Sequence, residues 1–387
     1  MTSWKTKLIH SDVEIPSGFK ALVPAVHRGS TVVFERAAEM KDDWRQHKLG
    51  YTYGLYGTPT AMELAARVGE LEGARYTFLT PGGQAAIALI WMSLTAAGDH
   101  ALVPDSVYGP NRAFARRVMK RFGVAVDFYP PTIGAAIADL ITPKTTLVWC
   151  ESPGSITMEV QDVPAIVAAA HAKGARVALD NTYAAGVYFD AFAHGVDVTM
   201  QALTKYVGGH SDLLLGTVSV REDALYERLG STHAGLGFNA SPDDCALALR
   251  GLQTLAVRLE ALERNTLAVA RWLAGRPEIE TVLHPALPSC PGHEIWKRDF
   301  TGSTSVFSAV FDARFSEDQL NTFADDLRLF ELGYSWGGVT SLVVPVPGPP
   351  RFHPGPRVTS LVRFNVGLES TDDLIADLAQ ALDKMSA

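Results

Sequence analysis

Apolar residues recur along this chain at two spacings, and the changes between them mark out its elements. AMELAARVGELEGA repeats every three to four positions and predicts an amphipathic helix. QAAIALIWMSLTAAGD is apolar almost all round and predicts a buried one. Short apolar runs follow at HALVPD, VAVDFY, TTLVWCES, ARVALD and VDVTMQAL, each ending in turn or polar residues. Runs of this length read as strands covered on both faces. Helical stretches, RAFARRVMKRFG and VPAIVAAAHAKG among them, fall between most of these runs. Such alternation predicts an α/β fold, a mainly parallel sheet with helices on both sides.

The pattern changes near residue 240. PDDCALALRGLQTLAVRLEALERNTLAVARWLAG reads as one long helix. It leads into mixed strands (TSVFSAVFDA, SLVRFNVG) and helices, expected to form a smaller α+β unit. Before residue 60 periodicity is weak, which suggests an extended arm packed on a partner subunit. The expected division is an arm over 1–60, a large domain over 61–240 and a small C-terminal domain over 241–387. VVPVPGPPRFHPGP is too short for a linker and is expected to be a surface loop. No internal repeat or low-complexity tract interrupts the chain.

Composition narrows the function classes. At 387 residues the chain exceeds one ordinary core, in keeping with two domains. A net charge of -8, with no Lys/Arg-rich block, argues against nucleic acid as a partner. No run reaches about 18 apolar residues, so no membrane span is expected. The opening MTSWKTKLIHSDVEIP lacks a signal-peptide core. Cys150, Cys245 and Cys290 are odd in number and far apart, supporting neither disulfides nor a metal knuckle. A reduced, cytoplasmic enzyme without a metal fits these features.

Ligands of open α/β sheets collect at the carboxyl ends of strands, so the residues there are informative. TPGGQAA puts Gly82 and Gly83 before a helix starting near Gln84, and N–H groups at such a start favour anions. Alone, this is a plain strand-to-helix turn, and PGGQ is neither a Walker loop nor a GxGxxG fingerprint. PDSVYG brings Tyr108, and CESPGS brings Glu151 and Ser155. LDNTYAAG brings Asp180, an acid at the end of an apolar strand that is costly to bury without a cationic partner. TMQALTKYVGGHSD brings Thr204 and Lys205, and a desolvated lysine amine condenses with carbonyls. An anion cradle, an aromatic plate, a carboxylate and an amine on one sheet edge suit pyridoxal 5'-phosphate.

These residues stand in long stretches: ESPGSITMEVQDVPAIVAAA, LDNTYAAGV, TKYVGGHSD, ALRGLQTLAVRLE, HPALPSCPGHEIWKRDFTGS, YSWGG and LVRFNVGLE. Through them the chain resembles, over nearly its whole length, the Cys/Met-metabolism family of fold-type I pyridoxal-phosphate enzymes. Within that family it looks most like the bacterial cystathionine β-lyases, and Ser155 stands where synthases and γ-lyases usually carry Asn. The resemblance implies a large domain with a mainly parallel seven-stranded sheet and a smaller C-terminal domain. It implies a carbon–sulfur lyase that takes the small sulfur amino acid L-cystathionine to homocysteine, pyruvate and ammonia by β-elimination, with a cysteine desulfhydrase, γ-lyase or sulfhydrylase of the same family as the alternative. Methionine biosynthesis would be its setting, in a tetramer built from dimers with shared active sites. Residue by residue, it makes Lys205 the lysine bonded to the cofactor aldehyde and Tyr108 the stacking residue. Asp180 would face the pyridine nitrogen, and Gly83, Gln84 and Thr204 would hold the phosphate. Arg363, Ser335 and Trp336 would bind substrate, and Tyr53 would reach across from the neighbouring subunit. One departure is plain: where the family usually reads Tyr-Gly-Arg, this chain reads Tyr53-Gly54-Leu55, without the phosphate-binding cation.

Overall fold

The structure is a computed structural model that describes residues 18, 21–346, 351–353 and 360–386. Seven strands form the larger sheet: β1 (Tyr76–Thr80), β2 (His100–Pro104), β3 (Ala125–Tyr129), β4 (Thr145–Glu151), β5 (Arg176–Asp180), β6 (Val198–Ala202) and β7 (Gly216–Val220). Their order is β1-β7-β6-β5-β4-β2-β3. Only β7 runs against the rest, pairing antiparallel with both β1 and β6. The expected mainly parallel seven-stranded sheet is therefore present.

Period-two packing explains why these runs are apolar throughout. Val148 and Cys150 of β4, with Val177 and Leu179 of β5, enter one core along with Ile166 and Ala170 of the helix Val163–Ala172. Leu147, Trp149 and Ala178 point the other way, into a core with Ile87, Ile90 and Trp91 of the helix Gly83–Leu94. A strand with a helix layer on each side has no polar face to show.

A second sheet holds β8 (Ile279–Leu283), β9 (Val306–Phe311), β10 (Glu331–Leu332), β11 (Leu342–Val346) and β12 (Leu361–Asn365) in the order β10-β11-β12-β9-β8. Its pairs are antiparallel except β10 with β11. Phe307, Phe311, Phe323 and Phe364 fill the core between this sheet and its helices.

Two expectations are corrected here. The stretch expected as one long helix is two, Pro242–Gln253 and Leu255–Ala274, broken at Thr254. At the break the Arg258 guanidinium donates to Gly251 O and to the Thr254 hydroxyl instead of facing solvent. The Pro/Gly-rich stretch is not wholly a loop, because Val343–Val346 belongs to β11. Residues 347–350 and 354–359 lie outside the described residues, as do 1–17, 19 and 20 of the expected arm. Among the described residues no helix is long and apolar enough to cross a membrane, and no cluster could hold a metal. All three cysteines are free and buried.

Candidate active site

Five of the co-directional strands, β1, β2, β4, β5 and β6, direct the segments at their carboxyl ends to one cavity of about 610 Å³. Its lining includes Gly83, Gln84, Tyr108, Ser155, Asp180, Thr204, Lys205, Ser335, Trp336 and Arg363. Ten residues singled out from sequence thus meet in one place. Tyr53 does not: it is 43% exposed, stacks edge-on against Tyr56, and lies outside this lining.

Lys205 sits three residues past the end of β6, largely buried. Its Nζ donates to Ser335 Oγ at 2.6 Å and lies 5.0 Å above the Trp336 ring. Burial, helped by the charge of Arg363 and opposed by Asp180, brings its pKa down to about 8. A much larger share of this amine is neutral near pH 7 than for an ordinary lysine, and the neutral amine is the nucleophile.

Asp180 ends β5. Its Oδ1 accepts from the Thr182 N–H at 3.0 Å and from the Thr182 hydroxyl. The Thr182 oxygen in turn accepts from Ala202 N–H at 3.0 Å, which ties the carboxyl to the end of β6. Burial raises the Asp180 pKa, while Thr182 and the charge of Lys205 pull it back.

Tyr108 precedes the short helix Gly109–Ala113 and is 42% exposed into the cavity mouth. Its N–H donates to Glu151 Oε2 at 2.8 Å, and Ser155 N–H donates to Glu151 Oε1 at 3.0 Å. One buried side chain therefore holds two cavity-lining segments. In the sequence Glu151 is only an available acid, since its bonds go to backbone groups that no motif displays.

Where the helix Gly83–Leu94 begins, the N–H groups of Gly83 and Gln84 make no hydrogen bond among the described residues. They remain open to an anion, assisted by the helix dipole. Thr204 lines the cavity too, with its hydroxyl already bonded in the chain. Its hydroxyl donates to Leu215 O at 3.3 Å and accepts from Leu215 N–H at 3.2 Å, so donating to a phosphate would cost that first bond.

Arg363 comes from β12 of the second sheet, is buried, and donates to Ser335 O at 3.1 Å. Ser335 has a left-handed backbone (φ 85°), which turns its hydroxyl and its carbonyl to Lys205 and Arg363 respectively. The donor set fits a phosphorylated aromatic aldehyde: a partly neutral amine, a buried carboxyl, a tyrosine and unpaired N–H groups at a helix start. Among the described residues, Lys205 and Arg363 are the only cations in the lining.

Residues 5–383 match the family described as Cys/Met metabolism PLP-dependent enzyme. A putative cystathionine beta-lyase of Rhizobium johnstonii is 46% identical, over 94% of this chain and 91% of that protein. The cystathionine beta-lyase of Bordetella avium is 41% identical, over 94% and 92%. Among solved structures, cystathionine gamma synthase of Xanthomonas oryzae in complex with aminoacrylate and cysteine superimposes with a TM-score of 0.86. It is 28% identical and covers 95% of this chain and 94% of its own.

Proposed function

Because the chain belongs to the Cys/Met metabolism PLP-dependent enzymes, we propose that it cleaves L-cystathionine by β-elimination, giving homocysteine, pyruvate and ammonia. The observation that carries this reading is the desolvated amine of Lys205, between the carboxyl of Asp180 and the guanidinium of Arg363 in one cavity. The β-lyases named among the relatives support the choice of bond.

Bound pyridoxal phosphate supplies an electron sink for the pair left at the substrate Cα. The residues of the chain do the rest. Lys205 Nζ would hold the aldehyde end of the cofactor and, as a neutral amine, would take the substrate Cα proton. Asp180 would favour a protonated ring nitrogen, and Tyr108 would hold the ring by stacking. Gly83 and Gln84 would offer N–H groups to the phosphate, and Ser155 would also contact the cofactor. Arg363 pairs its planar fork with the substrate α-carboxylate, while Ser335 and Trp336 shape the space around Lys205. The departing sulfur takes its proton from Lys205 or a tyrosine hydroxyl, and released aminoacrylate hydrolyses to pyruvate and ammonia. We place Tyr53 in the site of a neighbouring subunit, in a homotetramer built from dimers. The setting is methionine biosynthesis in the cytoplasm.

Product analysis tests the reading. Purified enzyme given L-cystathionine should yield pyruvate and homocysteine in equal amounts. Release of 2-oxobutanoate and cysteine instead would make it a γ-lyase, and activity on cysteine or cystine alone would move the substrate.

A further inference from the structure

The loop that carries Lys205 is gripped from behind by a buried cation to which the reading above gives no task. Arg258 lies on the helix Leu255–Ala274 and is 5% exposed. Its Nη1 donates to Tyr206 O at 2.6 Å, its Nη2 to Gly251 O at 2.7 Å and its Nε to the Thr254 hydroxyl at 3.0 Å. Among the described residues it has no carboxylate partner. A guanidinium is expensive to bury unpaired, and here neutral oxygens alone compensate it.

The backbone around that contact leaves little slack. Gly208 N–H bonds Leu203 O and Gly209 N–H bonds Lys205 O, both at 2.7 Å, so the loop closes on itself around the lysine. Gly209 has φ +74°, and a Cβ there would lie 2.1 Å from Arg258 Nη1. On another side, a Cβ on Gly251 would lie 2.0 Å from Val207 O, so the helix Pro242–Gln253 meets the loop backbone directly. From these contacts we propose that Arg258 is a positioning residue: it fixes the Lys205–Gly209 backbone, and through it the place of the Lys205 amine. The side chain of Lys205 has a single hydrogen bond, to Ser335, so its placement depends on a backbone that cannot drift. A displacement of about 1 Å at a reacting atom can cost up to about a hundredfold in rate.

This inference rests on Lys205 being the residue bonded to the cofactor, and the experiment separates the two. Borohydride reduction of the parent holoenzyme followed by peptide mapping locates the modified lysine. Arg258→Lys and Thr254→Val holoenzymes are then compared with the parent for kcat, KM, melting temperature and the pH midpoint of the cofactor absorbance. Arg258→Lys keeps the charge but cannot reach all three oxygens. We expect kcat about tenfold lower, KM within about twofold, and a midpoint moved by about 0.5 pH unit or more. Thr254→Val, which removes one acceptor and leaves the guanidinium, should move kcat and midpoint the same way by less. Where Arg258→Lys yields no folded holoenzyme, Thr254→Val decides alone. Unchanged kcat per folded, cofactor-loaded molecule together with an unchanged midpoint means that Arg258 serves stability only, and overturns the proposal. Modification of a lysine other than Lys205 in the parent overturns the underlying reading and this inference with it.

Discussion

Glu151 and Asp180 stand opposite each other in register at the ends of β4 and β5, two buried carboxyl groups on adjacent parallel strands. Their surroundings separate their tasks. Asp180 has the Thr182 donors and the charge of Lys205 to favour its ionised form. Glu151 is pushed well above the usual carboxylate range, first by burial and then by Asp180 beside it. Two neighbouring acids cannot both ionise cheaply, so the charge belongs on Asp180, which has the Thr182 donors and the Lys205 charge to favour it.

Glu151 then acts through the backbone groups it holds. Glu151→Ala strands the N–H groups of Tyr108 and Ser155, and each unsatisfied buried donor costs about 1–3 kcal/mol. The variant should melt lower than the parent and bind pyridoxal phosphate more weakly. Glu151→Gln, which keeps one acceptor oxygen, should fall between the two. Melting curves and cofactor titrations on the same preparations check the order.

The depressed pKa of Lys205 sets a pH window for cofactor loading. Below about 8 the amine is increasingly protonated and cannot attack an aldehyde, and above it the neutral form dominates. Reloading of stripped enzyme should therefore speed up as pH rises towards 8 and then level off. An ordinary lysine would keep gaining up to about 10.5. Stopped-flow absorbance across that range measures the midpoint, and a rate still climbing above pH 9 contradicts the desolvated amine.

Leu55 lines a crevice with Trp44, Tyr56, Phe78 and Tyr226 in its own chain. An arginine there would place a charge among aromatic rings. Leu55→Arg should lower the melting temperature by about 2–4 °C and leave cofactor affinity no tighter. Tighter binding at an unchanged melting temperature would mean that this position reaches a phosphate after all.

Tyr53 offers a test of the shared site. A Tyr53→Phe chain and a Lys205→Ala chain, each poorly active, should regain activity when subunits are exchanged, because one hybrid site then has both residues intact. No recovery despite exchange, followed by mass spectrometry of labelled chains, would return Tyr53 to its own subunit.

Much of the site was legible because a doubly covered sheet writes its strand ends into the sequence. An apolar run stopping at Asp180 or shortly before Lys205 marks both the strand and the place where chemistry faces out. What the sequence hid depends on distant backbone atoms. At the break by Thr254, Arg258 turns to Gly251 O and Tyr206 O, contacts with distant atoms that periodicity does not display. The antiparallel course of β7 is invisible for the same reason, since a buried strand looks alike in either direction. The hydrogen bonds between the Thr204 hydroxyl and Leu215 are likewise absent from the sequence pattern. Tyr53 has no meaning for the cavity within one chain.

The account stands or falls on the amine of Lys205. Lys205→Ala, purified in the presence of pyridoxal phosphate and assayed for pyruvate from L-cystathionine, is its most direct measurement. The account predicts a folded protein with a melting temperature near that of the parent, no covalently held cofactor and no detectable turnover. Turnover near the parental rate in that variant would contradict it, because among the described residues no other lysine lines the cavity to take over the proton.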